Sequence, residues 1–410
     1  MRAYERLLNY VTYPTASDAT NESCPSTPEQ LVFGEALVAE MLDMGITDAN
    51  MDSNGYIFGT IPATKPDARG AVVGFIAHMD VSADAPCQPV NARIISKYDG
   101  GDVALSEGIV LSPAEFSFLE QYKGDDLIVS DGKTLLGCDD KAGIAAILTM
   151  AEHFIANPQI GHGIIKIGFT PDEEIGRGAD LFDVKRFGAD FAYTVDGGAF
   201  GEVEYETFNA SSATVTVTGR SMHPGVAKNK MKNAAMIAME FAGMLPAAER
   251  PEHTEGYEGF YHLSSMEGEV EKAVLSYIVR DHDADKLRAR EEFLSMAADY
   301  LNSKYGDGVV VVEIKESYRN MDSILRGHWH LIENAIKAVE QTGGTLIIKP
   351  IRGGTDGARL SFMGLPCPNL GTGSHNAHSR MEFASVQALD KVADSLAVLA
   401  LLYTDHIPGL

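Results

Sequence analysis

Short strand-like runs of hydrophobic residues alternate with longer helix-like runs over the first half of the chain. Residues 31–44 and 142–155 have the apolar spacing of helices. Four short apolar runs predict strands, at residues 55–61, 71–77, 163–169 and 191–195. Strands that alternate with helices in this way predict an α/β fold, with a mostly parallel sheet and helices on both faces.

The pattern changes after Glu206. From there the predicted order is strand, helix, two strands, helix and strand, at residues 212–218, 233–245, 261–266, 274–279, 284–305 and 309–314. This is the split β-α-β pattern, which forms a four-stranded sheet with two helices. After residue 329 the first pattern resumes and ends in a helix at 385–402. The sequence therefore predicts a discontinuous large α/β domain at 1–207 and 319–410, interrupted by an inserted α+β lid domain at 208–318.

Composition narrows the class of partner. The 410 residues include 33 Lys and Arg against 58 Asp and Glu, a net charge of −25. Such an acidic chain repels nucleic acid and anionic lipid, so neither is expected as a partner. Apolar runs stay well below the roughly 20 residues that cross a bilayer. The four cysteines form no C-x-x-C pair, which argues against disulfides and a thiolate zinc site and favours a cytoplasmic protein.

Acidic and imidazole side chains follow the predicted strands or precede a predicted helix. The five clusters are His78 with Asp80, Asp139 with Asp140, Glu173 with Glu174, Asp196, and His375 with His378. Each cluster alone is ordinary strand-end, cap or turn chemistry. Because the carboxyl ends of parallel strands face one crevice, we expect the clusters to converge. Their coincidence predicts a metal site.

The ligand types indicate which ions such a site would hold. A His, Asp and Glu set without thiolate suits zinc, and also cobalt or manganese. Five ligands are too many for one zinc with an open position, so two ions bridged by a carboxylate are expected. Glu173 beside Glu174 is a candidate base for the attacking water. Asp80 is placed to accept an imidazole N–H of His78 and fix its tautomer.

The motifs that carry these residues resemble a known family. His78-x-Asp80, Gly137-x-Asp139-Asp140-Lys141, Glu173-Glu174, Asp196 and His378 resemble the dinuclear-zinc metallopeptidases, which include aminoacylase, glutamate carboxypeptidase and bacterial di- and tripeptidases. The closer match is to the tripeptide aminopeptidases of this family. It is carried by the stretches DGKTLLGCDDKAG, FTPDEEIGRGA, YTVDGG, EGYEGFYHL and KPIRGGTDGA, and it extends from the first helix to the last.

The resemblance implies a role for each metal-site residue. One ion would be held by His78 and Asp196, the other by Glu174 and His378, with Asp139 as the bridge, Asp80 as the orienting carboxylate and Glu173 as the general base. Asp140 is the rival for the bridge. Ser379 stands where the family has glycine, and His375 lies close enough to be a rival of His378. The spacing of His378 to Asn376 and Glu382 favours His378.

Three further residues are expected to recognise the substrate. By resemblance, His223 is a donor to the oxyanion of the scissile carbonyl. Arg280 and Arg352 are candidate clamps for a peptide carboxylate, since a guanidinium matches a carboxylate geometrically. The glycines at 353–357 lack the Lys-Ser/Thr ending of a phosphate loop, which argues against nucleotide binding.

The function expected from the resemblance is removal of the amino-terminal residue from tripeptides by a two-metal-activated water with Glu173 as base. Two divalent ions per subunit are expected, zinc before cobalt or manganese. Alternatives within the family are a dipeptidase, a carboxypeptidase and an N-acyl amino acid deacylase; a non-catalytic metal- or peptide-binding protein is the alternative from another class. A homodimer through the lid domain is left open, with 212–218 as the strand that would present an edge.

Overall fold

The computed structural model describes residues 1–65 and 70–404, which form two compact units. Unit 1 comprises the described residues of Met1–Tyr205, Ser323–Lys349 and those from Thr355 onward, and unit 2 comprises Glu206–Asp322 and Pro350–Gly354. The short segment Pro350–Gly354 belongs to unit 2, whereas the sequence pattern assigns it to the large domain.

The described residues form ten α-helices and eighteen strands. The helices are α1 (Ala3–Tyr10), α2 (Pro28–Met44), α3 (Cys138–Ala156), α4 (Val184–Phe187), α5 (Ala234–Met244), α6 (Ala284–Tyr305), α7 (Asp322–Leu325), α8 (His330–Gln341), α9 (Asp356–Phe362) and α10 (Val386–Leu401). The strands are β1 (Asn50–Met51), β2 (Ile57–Ile61), β3 (Val73–His78), β4 (Arg93–Ile95), β5 (Val103–Ser106), β6 (Ile109–Leu111), β7 (Leu127–Val129), β8 (Ile165–Thr170), β9 (Phe191–Gly197), β10 (Glu202–Glu204), β11 (Asn209–Thr218), β12 (Phe260–Gly268), β13 (Lys272–Asp281), β14 (Val310–Tyr318), β15 (Ile347–Ile348), β16 (Asn369–Gly371), β17 (Ser374–His375) and β18 (Phe383–Ser385).

Unit 1 is built on a mixed eight-stranded sheet with the order β1-β2-β8-β3-β9-β16-β10-β15. Its four central strands, β8, β3, β9 and β16, are parallel, while β1, β2 and β10 pair antiparallel with their inner neighbours. Every residue of β3 is buried, as expected for a parallel strand covered on both faces. The α/β class is confirmed, and the parallel centre brings the carboxyl ends of β3, β8 and β9 to one edge.

Helix α3 holds one face of this sheet. It is rich in small and apolar residues that are buried nearly all round, and it packs against α1, α10, β3 and β9. Gly143 permits this close approach, because a Cβ there would lie 1.9 Å from the carbonyl oxygen of Val195. The opposite face carries an aromatic cluster in which Phe182 contacts the rings of Phe58 and Phe187. Helices therefore cover both faces of the sheet.

Unit 2 has the predicted split β-α-β architecture. Its sheet is antiparallel in the order β12-β13-β11-β14, with α5 and α6 packed against it. Ala213, Val215 and Val217 of β11 are buried and face the helices, in the period of two typical of a half-covered sheet. The expectation that residues 212–218 present a free edge is wrong, because β13 and β14 flank β11 on both sides. The edges of this sheet are β12 and β14.

Two smaller features of unit 1 were not predicted. A sheet of four short strands has the order β17-β18-β7-β4, and β5 and β6 form a hairpin. Strand β17 of the four-stranded sheet ends three residues before His378. Within residues 1–65 and 70–404, no helix combines the length and the hydrophobicity needed to span a membrane.

Candidate metal centre

His78 ends β3 and is almost completely buried. Its Nε2 atom lies 3.0 Å from Oδ1 of Asp139 and 3.3 Å from Oδ1 of Asp196. Its Nδ1 atom faces the other way, 3.1 Å from the carbonyl oxygen and 3.4 Å from the carboxylate Oδ1 of Asp80. The ring is thus oriented by Asp80 and directs Nε2 towards two carboxylates from different elements.

His378 approaches the same carboxylate of Asp139 from the opposite side. Its Nε2 atom lies 2.8 Å from Oε2 of Glu174 and 3.5 Å from Oδ2 of Asp139, and its Nδ1 atom lies 2.9 Å from Oδ2 of Asp84. The two oxygens of Asp139 therefore face two different histidines, Oδ1 facing His78 and Oδ2 facing His378. This is the arrangement needed for a carboxylate that bridges two ions.

Asp140 faces away from this cluster. It is fully buried, and its Oδ2 accepts the backbone N–H of His78 at 3.2 Å while its Oδ1 accepts that of Gly143 at 3.1 Å. Both oxygens are used to join β3 to the start of α3. This geometry favours Asp139 over Asp140 as the bridging residue.

His375 belongs to a different environment from His378. Its Nε2 atom is hydrogen-bonded to the hydroxyl of Tyr122, and its ring stacks on Phe118 and Phe383 at centroid distances of 4.7 and 5.1 Å. Burial lowers the pKa of His375 to about 4. It is a packed aromatic residue, and the geometry favours His378 as the imidazole of the cluster.

The two glutamates lie on a single 3-10 turn, Glu173–Ile175, directly after β8. The carboxylate of Asp80 accepts the N–H of Glu173 through Oδ1 at 3.0 Å and the N–H of Glu174 through Oδ2 at 3.2 Å. Asp80 therefore fixes both His78 and the glutamate turn. This second contact could not be read from the spacing of His78 and Asp80.

Asp172 anchors the turn from the preceding position. It has a φ of 57°, in the left-handed region. Its carboxylate accepts the N–H of Ser26 at 2.7 Å and the side-chain amide of Gln30 at 2.7 Å. These contacts to the start of α2 hold a backbone conformation that an aspartate adopts at some cost.

Potential ligand atoms of these residues gather into two overlapping groups. Each group has its ligand atoms within 4.8 Å of one another; the groups are His78, Asp139 and Glu174, and His78, Glu173 and Asp196. The neighbouring glutamates thus contribute to different groups, as expected for adjacent side chains that point in different directions.

The cluster carries an excess of negative charge in a buried place. Burial raises the pKa of Asp196 to about 8, although His78 acts against this rise. Burial alone would lower the pKa of His78, but Asp196 and Asp139 outweigh it and raise that pKa. Hydrogen bonds that His378 donates to Asp139 and Glu174 raise its pKa to about 11. Carboxylates that hold both histidines in the charged form are an environment that favours cations.

A divalent ion fits this set of donors. Oε1 of Glu174 is buried and has no hydrogen-bond partner within residues 1–65 and 70–404, although a buried carboxylate oxygen normally has one. A coordinating cation would satisfy it. The donors are oxygen and imidazole nitrogen atoms, the types that zinc and similar ions bind in hydrolytic sites.

Glu382 supports the centre and was not predicted as a site residue. It is fully buried, and its carboxylate accepts the N–H groups of Leu136 and Gly137 at 2.9 and 2.6 Å and of Asp139 at 3.0 Å. It therefore holds the loop that presents Asp139. The one signal in the sequence is its position four residues after His378.

Removing this support is expected to weaken metal binding without touching a ligand. Glu382→Ala leaves three backbone N–H groups without their acceptor, so the loop that carries Asp139 loses its position. We expect metal affinity to fall about 10- to 100-fold, the usual effect of losing a group that supports a ligand. Titration of the metal-stripped protein with zinc measures this change. Glu340→Ala, at an exposed position of α8, is the control, and equal zinc affinity in both variants would contradict the role.

Asp196 is supported in a similar way by Asn369 and Glu204, two residues that the sequence patterns did not indicate. Its N–H is donated to Oδ1 of Asn369 at 3.2 Å, and the amide of Asn369 donates to Oε2 of Glu204 at 2.8 Å. Strands β9, β16 and β10 are thereby joined by side chains near the end of β9, where Asp196 lies.

The predicted substrate residues all lie in unit 2. His223 is exposed, and its Nδ1 accepts the N–H of Gly225 at 3.2 Å. An Nδ1 that accepts a hydrogen bond leaves the proton of a neutral imidazole on Nε2. His223 therefore presents a free N–H donor, which is the property that its expected role requires.

Arg280 and Arg352 lie together, but their donors are used differently. Nη1 of Arg352 donates to the carbonyl oxygens of Gly256 and Glu258, and its Nη2 donates to the carbonyl and hydroxyl oxygens of Thr254. Arg280 donates from Nη1 to the carbonyl of Arg352 at 3.2 Å, while its buried Nε has no partner in the described part of the chain. The guanidinium of Arg352 is used to hold the loop at residues 254–258. Arg280 therefore has more N–H donors left for a carboxylate than Arg352 has.

Comparison with known proteins places the chain among peptidases. The model of the peptidase dimerisation domain matches residues 205–309. A peptidase T from Caldanaerobacter subterraneus subsp. tengcongensis is 48% identical over 404 residues, which cover 98% of each chain. Aminopeptidase PepT from Bacillus cereus has the same fold, with a TM-score of 0.73 and 23% identity over 97% of each chain. A Bacillus subtilis protein described as a dinuclear metal-binding peptidase of the M20 family has a TM-score of 0.64 and 14% identity over 99% of each chain.

Proposed function

The chain belongs to the peptidase T family of M20 metallopeptidases and is a tripeptide aminopeptidase, and we propose that the cluster at the rim of its central sheet is where the peptide is cleaved. The observation that carries this proposal is the carboxylate of Asp139, whose two oxygens face His78 and His378. The family binds metal, and this carboxylate divides the surrounding donors into two sets.

Each set suits one divalent ion. The residues that would hold the ions are His78 and Asp196 for the first, Glu174 and His378 for the second, and Asp139 for both. We propose zinc as the natural metal, with cobalt or manganese as substitutes, because the donors are imidazoles and carboxylates without thiolate. When bound, such a pair lowers the pKa of a water molecule and polarises the scissile carbonyl.

Glu173 is proposed as the general base. Its carboxylate lies with those of the first set, next to His78 and Asp196, yet that set has its ligands without it. Glu173 is therefore placed to take a proton from the attacking water and to pass it to the amine that leaves. Asp80 positions this base through the N–H of Glu173 and orients His78 at the same time.

Unit 2 is proposed to recognise the substrate and to pair two subunits. His223 supplies an N–H donor to the oxyanion, and Arg280 is the preferred clamp for the peptide carboxylate. The match to a dimerisation domain supports a homodimer, and the edge strands β12 and β14 are the places where another sheet can add. The four cysteines are unpaired, which supports work in the reducing cytoplasm.

A panel of peptides tests this function directly. We expect tripeptides with a free amino terminus to release their first residue, and N-blocked tripeptides to be rejected. Removal of metal by a chelator should abolish turnover, and added zinc, cobalt or manganese should restore it. The measurement is identification of the released residue by mass spectrometry, before and after metal stripping. Cleavage of N-acyl amino acids or release of the last residue would instead indicate a deacylase or carboxypeptidase, and full activity without metal would refute the scheme.

A further inference from the structure

Unit 2 contains a cavity that the proposed chemistry does not use. It has a volume of about 340 Å³, within the usual size range of small-molecule sites. Its walls come from the end of α5, the segment that follows it, and strands β12 and β13; the lining residues include Leu245, Arg250, Glu252, Leu263 and Tyr277. The cavity lies where α5 ends at Met244 and the chain continues through Leu245 and Pro246, both of which line it.

The wall holds a polar group that lacks a partner. Tyr277 is 3% exposed, and its hydroxyl has no hydrogen-bond partner among the residues that the structure describes. A buried hydroxyl without a partner is costly, so buried polar groups nearly always have a hydrogen-bond partner. Burial raises the pKa of Tyr277 to about 12, although the nearby charge of Arg250 acts against this rise. The hydroxyl therefore stays protonated and available as a donor.

Two opposite charges line the same cavity. Arg250 and Glu252 are exposed, and neither has an ion-pair partner in the described ranges. The rest of the lining is largely apolar, with Leu245, Leu263 and Pro246 beside the ring of Tyr277. The site thus offers a cation, an anion, a hydroxyl and an apolar surface to a single ligand.

The walls are held in place by contacts outside the cavity. The N–H of Tyr261 donates to the carbonyl of Glu249 at 2.8 Å, which ties the segment after α5 to strand β12. The carboxylate of Glu249 lies 3.0 Å from a guanidinium nitrogen of Arg290 on α6. The cavity is therefore a built feature of unit 2, bounded by elements that are bonded to one another.

We propose that this cavity binds a free α-amino acid with an apolar side chain. Arg250 pairs with the carboxylate, Glu252 with the ammonium group, the hydroxyl of Tyr277 donates to the carboxylate, and the leucines and the tyrosine ring cover the side chain. Such amino acids are released by the reaction, so the site would sense the product; that part of the inference rests on the proposed function. Binding itself does not depend on it.

Calorimetric titration of the metal-loaded enzyme with L-leucine tests this site. We expect Arg250→Gln to weaken leucine binding about tenfold, since it removes a charge-assisted contact. Tyr277→Phe, which removes only the hydroxyl, should weaken it about fivefold. Arg288→Gln and Tyr300→Phe, exposed positions on α6 outside the cavity, are the matched controls and should not change it.

Ligand analogues separate the contacts. Leucinamide lacks the carboxylate, isocaproate lacks the ammonium group and L-serine lacks the apolar chain, so each should bind at least about tenfold more weakly than leucine. Equal leucine affinity in all variants, or no leucine binding, overturns the proposal. Tripeptide hydrolysis measured alongside keeps the two questions apart. Normal turnover without Arg250-dependent binding refutes the cavity alone, and Arg250-dependent binding without turnover refutes the proposed function alone.

Discussion

Glu173→Gln is expected to lower kcat for tripeptides about 10²- to 10⁴-fold, the range lost when a general base is removed. Glutamine keeps the shape of the side chain and the backbone N–H bond to Asp80, but it cannot accept the proton of the attacking water. The residues proposed to hold the ions are unchanged, so the variant should still contain two metal ions per chain. Steady-state kinetics together with elemental analysis of the same sample measures both quantities.

A control variant and the metal content of Glu173→Gln decide whether Glu173 is the base. Glu120→Gln, at an exposed position of unit 1, should keep normal kcat and shows that the handling of the protein does not cause the loss. If Glu173→Gln turns over tripeptides at nearly the normal rate with both ions bound, another group must act as the base. Loss of the ions in this variant would instead make Glu173 a ligand.

Asp139→Asn is expected to abolish activity by a different route, through loss of the ions. An amide offers one good ligand oxygen where the carboxylate presents two, one towards His78 and one towards His378. We expect the metal content to fall below two per chain and kcat to fall at least about 10³-fold, since both ions contribute to the reaction. Elemental analysis after dialysis and the turnover of a tripeptide provide the measurement.

Asp140→Asn is the matched comparison, because it makes the same chemical change one residue away. Asp140 accepts the N–H groups of His78 and Gly143, so its amide would place a donor against one of them. The cost falls on folding, about 1–3 kcal/mol, and is seen as a lower Tm with two ions still bound. If Asp140→Asn lost the ions and Asp139→Asn kept them, the bridging role would belong to Asp140.

The elements easiest to predict from the sequence were those with long apolar runs. Helix α3 and strands β3 and β8 were predicted because each contains a run of mainly apolar residues that is buried in the core. The four-stranded sheet that contains β7 and β18 was missed, because strands of two or three residues carry no periodicity. The central position of β11 was also missed, since strand order is fixed by tertiary packing and leaves no mark within the strand itself.

The candidate site shows a similar division. His78, Asp139, Glu174, Asp196 and His378 were found because motifs name them, and the structure brings them together. Glu382 was missed because it acts on backbone N–H groups more than 240 positions away. The sequence suggested Arg352 as a clamp for a substrate carboxylate, whereas oxygens of residues 254–258 accept hydrogen bonds from its Nη1 and Nη2. Hydrogen bonds between side chains and backbone atoms cannot be predicted from the order of side-chain types alone.

The strand order of the large sheet imposes an order of events during synthesis. Strand β16 lies between β9 and β10 but is made more than 160 residues after them. Strands β9 and β10 therefore leave the ribosome before the strand that pairs with both of them. All of unit 2 emerges in the meantime, and domains generally fold as units while the chain grows. The candidate metal centre combines His78 and Asp196 with His378, which follows β16 in the chain, so it is completed only after unit 2 has been made.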